Sequence, residues 1–172
     1  MYTDELFIQR TCDLARLGGA KVSPNPMVGA VIVADNKIIG EGYHQAYGTP
    51  HAEVNAVKNV KPQNEHLLKK SKIYVSLEPC CIQGKTPPCT DLILDQEIPE
   101  VVISALDRSP DVNGKSIEIL KAKGVGVRQK VLPQLGKQLS QPRTTFVTQF
   151  RPYIILKFAQ SKDGFMASSD QK

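Results

Sequence analysis

The sequence predicts an α/β fold in which a central sheet is covered by helices on both faces. Short runs rich in β-branched residues alternate along the chain with segments whose apolar residues recur at helical spacing. Such alternation is typical of a sheet that lies between two layers of helices. The 172 residues, 41% hydrophobic and 23% charged, suit one folded domain of ordinary size.

The first part of the chain predicts a helix, a hairpin and a second helix. A helix is expected over Asp4–Leu17, where apolar residues recur at helical spacing before a pair of glycines. Met27–Val33 and Ile38–Tyr43 are apolar, β-prone runs joined by a short polar turn, which predicts a hairpin. Gly29 in the first strand is expected to mark close approach by another backbone or a ligand. The second helix is expected over His51–Val60.

The rest of the chain predicts three more strands, each separated from the next by a helix, and then a tail. After a lysine-rich surface connection over residues 62–72, the strands are expected at Ile73–Leu77, Glu100–Ala105 and Val125–Val131. A helical tail from residue 133 is expected to break near Pro142. The apolar run Arg151–Gln160 predicts a strand that needs a sheet to join. We therefore expect one domain over residues 1–148 and the opening of a second over 149–172.

Composition narrows the class of protein. The acidic N-terminus is unlike a signal peptide, and no run of about 18 apolar residues could span a membrane. The four cysteines are therefore expected to be metal ligands or buried thiols rather than disulfides, in a cytoplasmic protein. The net charge of +5 fits either a solvated basic surface or a site for an anionic partner. No arginine-rich run or aromatic stripe favours nucleic acid.

One set of residues predicts a catalytic zinc site. His51-Ala52-Glu53 and the two Pro-Cys pairs that end at Cys80 and Cys89 supply an imidazole, two thiols and a further carboxylate. Three protein ligands leave a fourth position on zinc for water, whose pKa falls towards neutral there. Glu53, beside the metal, could take the proton from that water and pass it to a leaving amine. A closed four-ligand site with Cys81 is the structural alternative, and it leaves Glu53 unexplained.

The spacing of the two cysteines is unusual. Zinc deaminases commonly carry His-x-Glu followed by Pro-Cys-x-x-Cys, whereas eight residues separate Cys80 from Cys89 here. The insertion carries one cation, Lys85, which is either simply solvated or a contact for a substrate phosphate or carbonyl. Cys12 is expected on a buried helix face, and His66 is expected to be exposed without a role.

These motifs and others along the chain resemble the deaminase domain of the bifunctional riboflavin-biosynthesis deaminase/reductase family. The long cysteine spacing with Gly-Lys-Thr-Pro-Pro-Cys is specific to that family. The last matching piece is similar to the start of the family's reductase domain. The matching pieces are Ser23–Gly29, Gly42–His44, His51–Ala56, Leu77–Cys80, Gly84–Cys89, Arg151–Tyr153, Leu156–Lys157 and Ser161–Gly164.

The resemblance implies a cytidine-deaminase-like three-layer α/β/α sandwich with a mixed central sheet. It implies hydrolytic loss of the 2-amino group from 2,5-diamino-6-(5-phosphoribosylamino)pyrimidin-4-one, with NADP(H) used only by the reductase domain. It also implies a homo-oligomer that binds neither nucleic acid nor membrane. The implied site residues are the zinc ligands His51, Cys80 and Cys89, the proton shuttle Glu53, and the substrate contacts Asn25, His44, Lys85, Thr86 and Asp107.

The chain departs from the family pattern in two loops. Cys81-Ile82 replaces the common Ser-His after the first cysteine ligand, so no role is carried over to Ile82. Asp107-Arg-Ser-Pro110 replaces Asp-Pro-Asn-Pro, which puts an asparagine contact in doubt at Ser109 and offers Arg108 instead. Two alternatives stay open: a nucleobase or tRNA-adenosine deaminase, and a zinc-binding module without catalysis. The first predicts a two-residue cysteine spacing and a basic, aromatic substrate channel.

Overall fold

The computed structural model of the chain describes residues 3–84 and 86–166. Within these ranges five strands and five α-helices are present, with two short 3-10 helices over Gly19–Val22 and Pro62–Lys70. The strands are β1 Gly29–Ala34, β2 Lys37–Tyr43, β3 Lys72–Leu77, β4 Glu100–Ala105 and β5 Gly126–Gln129. The helices are α1 Asp4–Arg16, α2 Ala52–Lys58, α3 Cys89–Asp95, α4 Lys115–Ala122 and α5 Pro133–Gln149.

The strands form one mixed sheet in the order β2-β1-β3-β4-β5. β1 is antiparallel to both β2 and β3, whereas β3, β4 and β5 run parallel. The carboxyl ends of β3 and β4 therefore meet at one edge of the sheet, and the loops that follow them are neighbours. This arrangement places side chains from distant parts of the sequence in one site.

Helices cover both faces of the sheet, so the predicted three-layer α/β/α sandwich is confirmed. Alternate residues of each central strand point to opposite faces. In β3, Ile73 and Val75 pack with α2, α3 and α4, while Tyr74 between them packs with α1 and α5. The same alternation separates Val101 and Ile103 of β4 from Val102. The sheet therefore separates two hydrophobic cores, one on each of its faces.

Glycines in the hairpin allow two helices to approach the sheet closely. A Cβ atom at Gly29 would lie 2.1 Å from the Thr11 carbonyl oxygen of α1, and one at Gly42 would lie 2.3 Å from the Ala56 nitrogen of α2. Gly29 thus accommodates another backbone, one of the two possibilities that its position predicts. The glycine in β2 fixes α2, which begins next to His51.

Helix α5 differs from the prediction, because it continues through Pro142 to Gln149 without a break. A proline removes one backbone donor and crowds one carbonyl of the preceding turn. Pro142 is exposed, while Leu139 before it and Thr145 after it are buried. Packing on both sides of the proline therefore keeps the helix continuous.

The strand predicted over residues 151–160 does not form. These residues carry no sheet pairing, and Ile154, Ile155 and Leu156 are exposed. Within the described residues the sheet consists of β2, β1, β3, β4 and β5 alone, and this run pairs with neither of the edge strands, β2 and β5. No helix within the described ranges is long and apolar enough to cross a membrane.

Candidate active site

The start of α2, the loop after β3 and the start of α3 converge beyond the carboxyl ends of β3 and β4. His51 is the residue immediately before α2, rather than part of its first turn as predicted. Cys80 follows β3 in a loop, and Cys89 is the first residue of α3. The backbone ties these pieces together, since the Thr90 amide donates to the Cys80 carbonyl at 3.1 Å.

The predicted ligand residues lie together. Nδ1 of His51 is 3.5 Å from the Cys80 sulfur and 3.4 Å from the Cys89 sulfur. One ligand atom from each of the three residues lies within 4.8 Å of the other two. Two thiols and an imidazole nitrogen are a donor set that suits Zn²⁺. The chemistry and convergence of these groups therefore fit a zinc ion.

The pKa values of the Cys80 and Cys89 thiols are shifted in opposite directions. The Cys89 thiol donates towards the Cys80 sulfur, which lowers the pKa of Cys80 to about 4 and raises that of Cys89 well above its usual value. The Cys89 backbone amide also donates to the Cys80 sulfur at 3.3 Å. The hydrogen bond between the Cys80 sulfur and the imidazole raises the pKa of His51. The hydrogen bonds to the Cys80 sulfur therefore favour its thiolate form, whereas the raised pKa of Cys89 favours its protonated form.

Glu53 lies beside this cluster and is only 3% exposed. Burial raises the pKa of its carboxyl group, as does the charge of Cys80. Its side chain contacts the Cys89 thiol and lines the same cavity as His51. A buried carboxyl group next to a cation site is well placed to exchange protons with a group in that cavity.

His44 and Asn25 form a hydrogen-bonded pair on the wall of the cavity. The His44 Nδ1 atom is 3.1 Å from the Pro50 carbonyl oxygen, which can only accept, so Nδ1 carries the proton. Burial lowers the pKa of His44, which keeps the ring neutral. The Nε2 atom then accepts from the Asn25 amide at 3.1 Å. The pair leaves the Asn25 side-chain oxygen free to accept from a ligand.

Glu78 organises the loop over residues 107–114, a role that the sequence analysis missed. Its buried carboxylate accepts from the Gly114 amide at 2.8 Å, the Ser116 hydroxyl at 2.5 Å and the Asp107 amide at 3.3 Å. These donors lie about thirty or more residues from Glu78 in the sequence. The carboxylate therefore ties the end of β3 to the loop after β4.

A cavity of about 310 Å³ joins these elements. Four of the five predicted substrate contacts line it: Asn25, His44, Thr86 and Asp107. The fifth, Lys85, lies outside the described residues, between Gly84 and Thr86, which both line the cavity.

The lining residues that were not predicted as contacts include two with side chains able to bind a polar ligand. Ser109 lines the cavity from the loop after β4, and Arg143 lines it from α5. Arg108, offered as the replacement for a family asparagine, is instead exposed and lies outside the cavity wall. The sequence drew attention to Ser109, because its loop departs from the family pattern at this position. Arg143 had no such signal, because its position depends on how α5 packs.

Cys81 is not part of the ligand cluster. Its sulfur lies 3.9 Å from the Asp111 carbonyl oxygen, and the ligand cluster consists of His51, Cys80 and Cys89. The closed four-ligand alternative therefore lacks its fourth ligand in this structure. Cys12 is fully buried in α1, and His66 is exposed, as predicted.

Comparison with known proteins gives the family. The model for the cytidine and deoxycytidylate deaminase zinc-binding region matches residues 1–105. The chain belongs to this deaminase family. Within the family, it is 45% identical over 125 residues to the diaminohydroxyphosphoribosylamino-pyrimidine deaminase of Buchnera aphidicola, covering 73% of this chain and 82% of that protein. Both the family and the branch that the motifs indicate are thus confirmed.

Longer deaminase relatives share almost all of this chain. The riboflavin biosynthesis protein RibD of Aquifex aeolicus is 41% identical over 165 residues, which cover 96% of this chain and 45% of that protein. A solved deaminase/reductase from Thermotoga maritima superposes with a TM-score of 0.86 at 42% identity, covering 93% of this chain and 45% of that one. The chain spans less than half the length of these relatives.

Proposed function

We propose that this chain is a zinc-dependent deaminase that removes the 2-amino group from 2,5-diamino-6-(5-phosphoribosylamino)pyrimidin-4-one, a step of riboflavin biosynthesis. The observation that carries the proposal is the cluster of His51, Cys80 and Cys89, whose ligand atoms lie within 4.8 Å of one another beside the buried Glu53. The name of the Buchnera relative, a diaminohydroxyphosphoribosylamino-pyrimidine deaminase, supports the substrate.

His51, Cys80 and Cys89 would hold the metal. The lowered pKa of Cys80 favours its thiolate form, and a cation between the two sulfurs would favour loss of the Cys89 proton as well. A bound zinc ion with three protein ligands supplies a Lewis acid that lowers the pKa of water towards neutral. The remaining steps depend on side chains of this chain.

Glu53 would move the protons of the reaction. Water adds to the ring carbon that bears the amino group, the carbon–nitrogen bond breaks and ammonia leaves. During these steps Glu53 would take a proton from the attacking water and deliver it to the departing nitrogen. Its raised pKa suits both tasks, because a group that titrates closer to neutral pH can act as base and then as acid.

Asn25 and His44 would orient the pyrimidine. The Asn25 side-chain oxygen, left free by the hydrogen bond to His44, is an acceptor for a ring N–H or an amino group. Thr86 and Asp107 line the same cavity and would contact the ribose part of the substrate. Asp107 is preoriented, since its carboxylate accepts from the Ser109 amide at 2.7 Å. Lys85 remains a proposed contact from the sequence.

The proposal is tested by measuring ammonia release from three compounds: the phosphorylated diaminopyrimidine, its dephosphorylated form and cytidine. Metal content is determined on the same sample. We expect rapid release only from the phosphorylated pyrimidine, with close to one zinc per chain. Preference for cytidine would indicate another deaminase of the superfamily. Zinc binding without any ammonia release would indicate a module without catalysis.

A further inference from the structure

Arg143 is a cation on the cavity wall. Within residues 3–84 and 86–166 its guanidinium makes no ion pair and donates no hydrogen bond to a carboxylate or carbonyl, whereas Arg10 pairs with Glu41 and Arg128 pairs with Asp4. The Arg143 side chain is half-buried. A guanidinium placed in a cavity without a protein partner is available to a ligand.

The packing of α5 fixes where Arg143 lies. Gly136 is so close to the sheet that a Cβ there would be 2.4 Å from the Ser76 carbonyl oxygen and 2.8 Å from the Ala105 Cβ. Arg143 is seven residues further along, so it shares the Gly136 face of the helix, about 10 Å along its axis. The helix therefore enters at the ends of β3 and β4 and carries Arg143 to the cavity.

Ser109 provides a second group in the same cavity without a hydrogen-bond partner among the described residues. Its side chain is only 6% exposed, and its hydroxyl is the buried side-chain oxygen that has no hydrogen-bond partner in the described residues. The Ser109 amide donates to Asp107, which fixes the loop but leaves the hydroxyl unused. Buried hydroxyl groups are almost always paired, so this one is expected to bind a ligand or water.

The charges of the cavity indicate what the ligand group is. Asp107 and Asp111 line the wall near Ser109, and Glu53 and Glu78 also line the cavity. Arg143 is the permanently charged cation among the lining residues that the structure describes. The carboxylates of the cavity would repel a phosphate, so a phosphate is expected to bind next to this cation. Arginine also matches phosphate oxygens with two parallel hydrogen bonds.

We propose that Arg143 and the Ser109 hydroxyl bind the phosphate of the substrate and so determine specificity for the phosphorylated form. This inference rests on the proposed function. Arg143 would donate two N–H groups to phosphate oxygens, and Ser109 would donate its hydroxyl to a third. Neither residue would take part in the chemistry at the ring carbon.

The test compares Arg143→Gln and Ser109→Ala with the unchanged protein, on the phosphorylated and the dephosphorylated pyrimidine. Lys137→Gln is the matched control, because it removes one charge from an exposed position on the same helix. We expect Arg143→Gln to lower kcat/KM roughly 10- to 100-fold on the phosphorylated substrate, the scale of a lost charged hydrogen bond. Ser109→Ala should lower it by a smaller factor. Activity on the dephosphorylated compound, zinc content and the Lys137→Gln values should not change.

Equal losses on both substrates would overturn the proposal, since they would indicate a structural role for Arg143. Unchanged kinetics would overturn it as well. Absence of ammonia release from every compound tested would refute the proposed function alone. In that case, calorimetric titration with ribose 5-phosphate still tests whether Arg143 binds phosphate. Arg143→Gln should weaken that binding by at least about tenfold, Arg143→Lys should weaken it less, and Lys137→Gln should leave it intact.

Discussion

At the scale of single residues, the site depends on the different environments of similar groups. Cys80 receives hydrogen bonds from the Cys89 thiol and the Cys89 amide, which favour its thiolate form, while the pKa of Cys89 is raised. Glu53 and Glu78 are both buried, but Glu78 is surrounded by donors and Glu53 by the ligand cluster. One carboxylate therefore organises a loop, and the other is free for proton transfer.

The role of Glu78 leads to a prediction about stability. In Glu78→Gln the amide nitrogen would face the Gly114 amide or the Ser116 hydroxyl, both of which donate to the carboxylate. We expect the free energy of unfolding to fall by about 2–3 kcal/mol, the scale of lost hydrogen bonds to a charged group. Urea unfolding of the zinc-loaded protein measures this change. The exposed Glu65→Gln should stay within about 0.5 kcal/mol of the unchanged protein, and an equally small effect at Glu78 would contradict the assignment.

The site residues that could be predicted from the sequence are those of amino-acid types that have few common roles in such a motif. A histidine, two cysteines and a glutamate in motif spacing predict a cluster of ligands with an acid–base group, and the structure brings these four residues together. The positions of Glu78 and Arg143 could not be predicted, because glutamates and arginines are common on surfaces. They depend on the packing of the loop over residues 107–114 and of α5.

At the scale of elements, α5 shows how packing overrides a local signal. Pro142 predicts a break, yet the helix continues because residues on either side of it are anchored in the core. The apolar run over residues 151–160 shows the converse. Its composition favours a strand, but a strand forms only where its backbone groups pair with a neighbouring strand. In the described residues this segment pairs with neither edge of the sheet.

Close packing at Gly136 leads to a second prediction. Gly136→Ala would place a methyl group 2.4 Å from the Ser76 carbonyl oxygen, so α5 would have to move away from the sheet. We expect a loss of about 1–3 kcal/mol in the free energy of unfolding, the usual cost of overpacking. Gly126→Ala is the control, because the nearest atom to its Cβ is at an ordinary 3.5 Å. Equal stabilities for the two variants in urea would contradict the close contact.

At the scale of the whole molecule, the layered fold could be predicted but the strand order could not. Alternating elements indicate helices on both faces of a sheet. The position of β1 between β2 and β3, antiparallel to both, depends on contacts between distant residues that no local pattern encodes. The assignment of residues 149–172 to a reductase domain and the homo-oligomeric state stay predictions.

The metal site joins α2, α3 and the loop after β3, so removing the metal should destabilise the whole fold. Bound at about a hundredfold excess over its Kd, zinc would add about 2.7 kcal/mol to stability. For a chain of this size we expect chelation to lower Tm by about 5–10 °C. Differential scanning calorimetry before and after chelation, with metal content determined each time, measures the shift. Zinc but not magnesium should restore Tm, and an unchanged Tm after proven metal loss would contradict this role.

The central claim is that Glu53 moves protons at a zinc site formed by His51, Cys80 and Cys89. The most direct test is to measure both the zinc content and the ammonia release of Glu53→Gln with the phosphorylated diaminopyrimidine. Because glutamine keeps the shape of glutamate but cannot accept the proton, we expect full zinc content and a fall in kcat of at least about 100-fold. Full zinc content with undiminished ammonia release would contradict the claim.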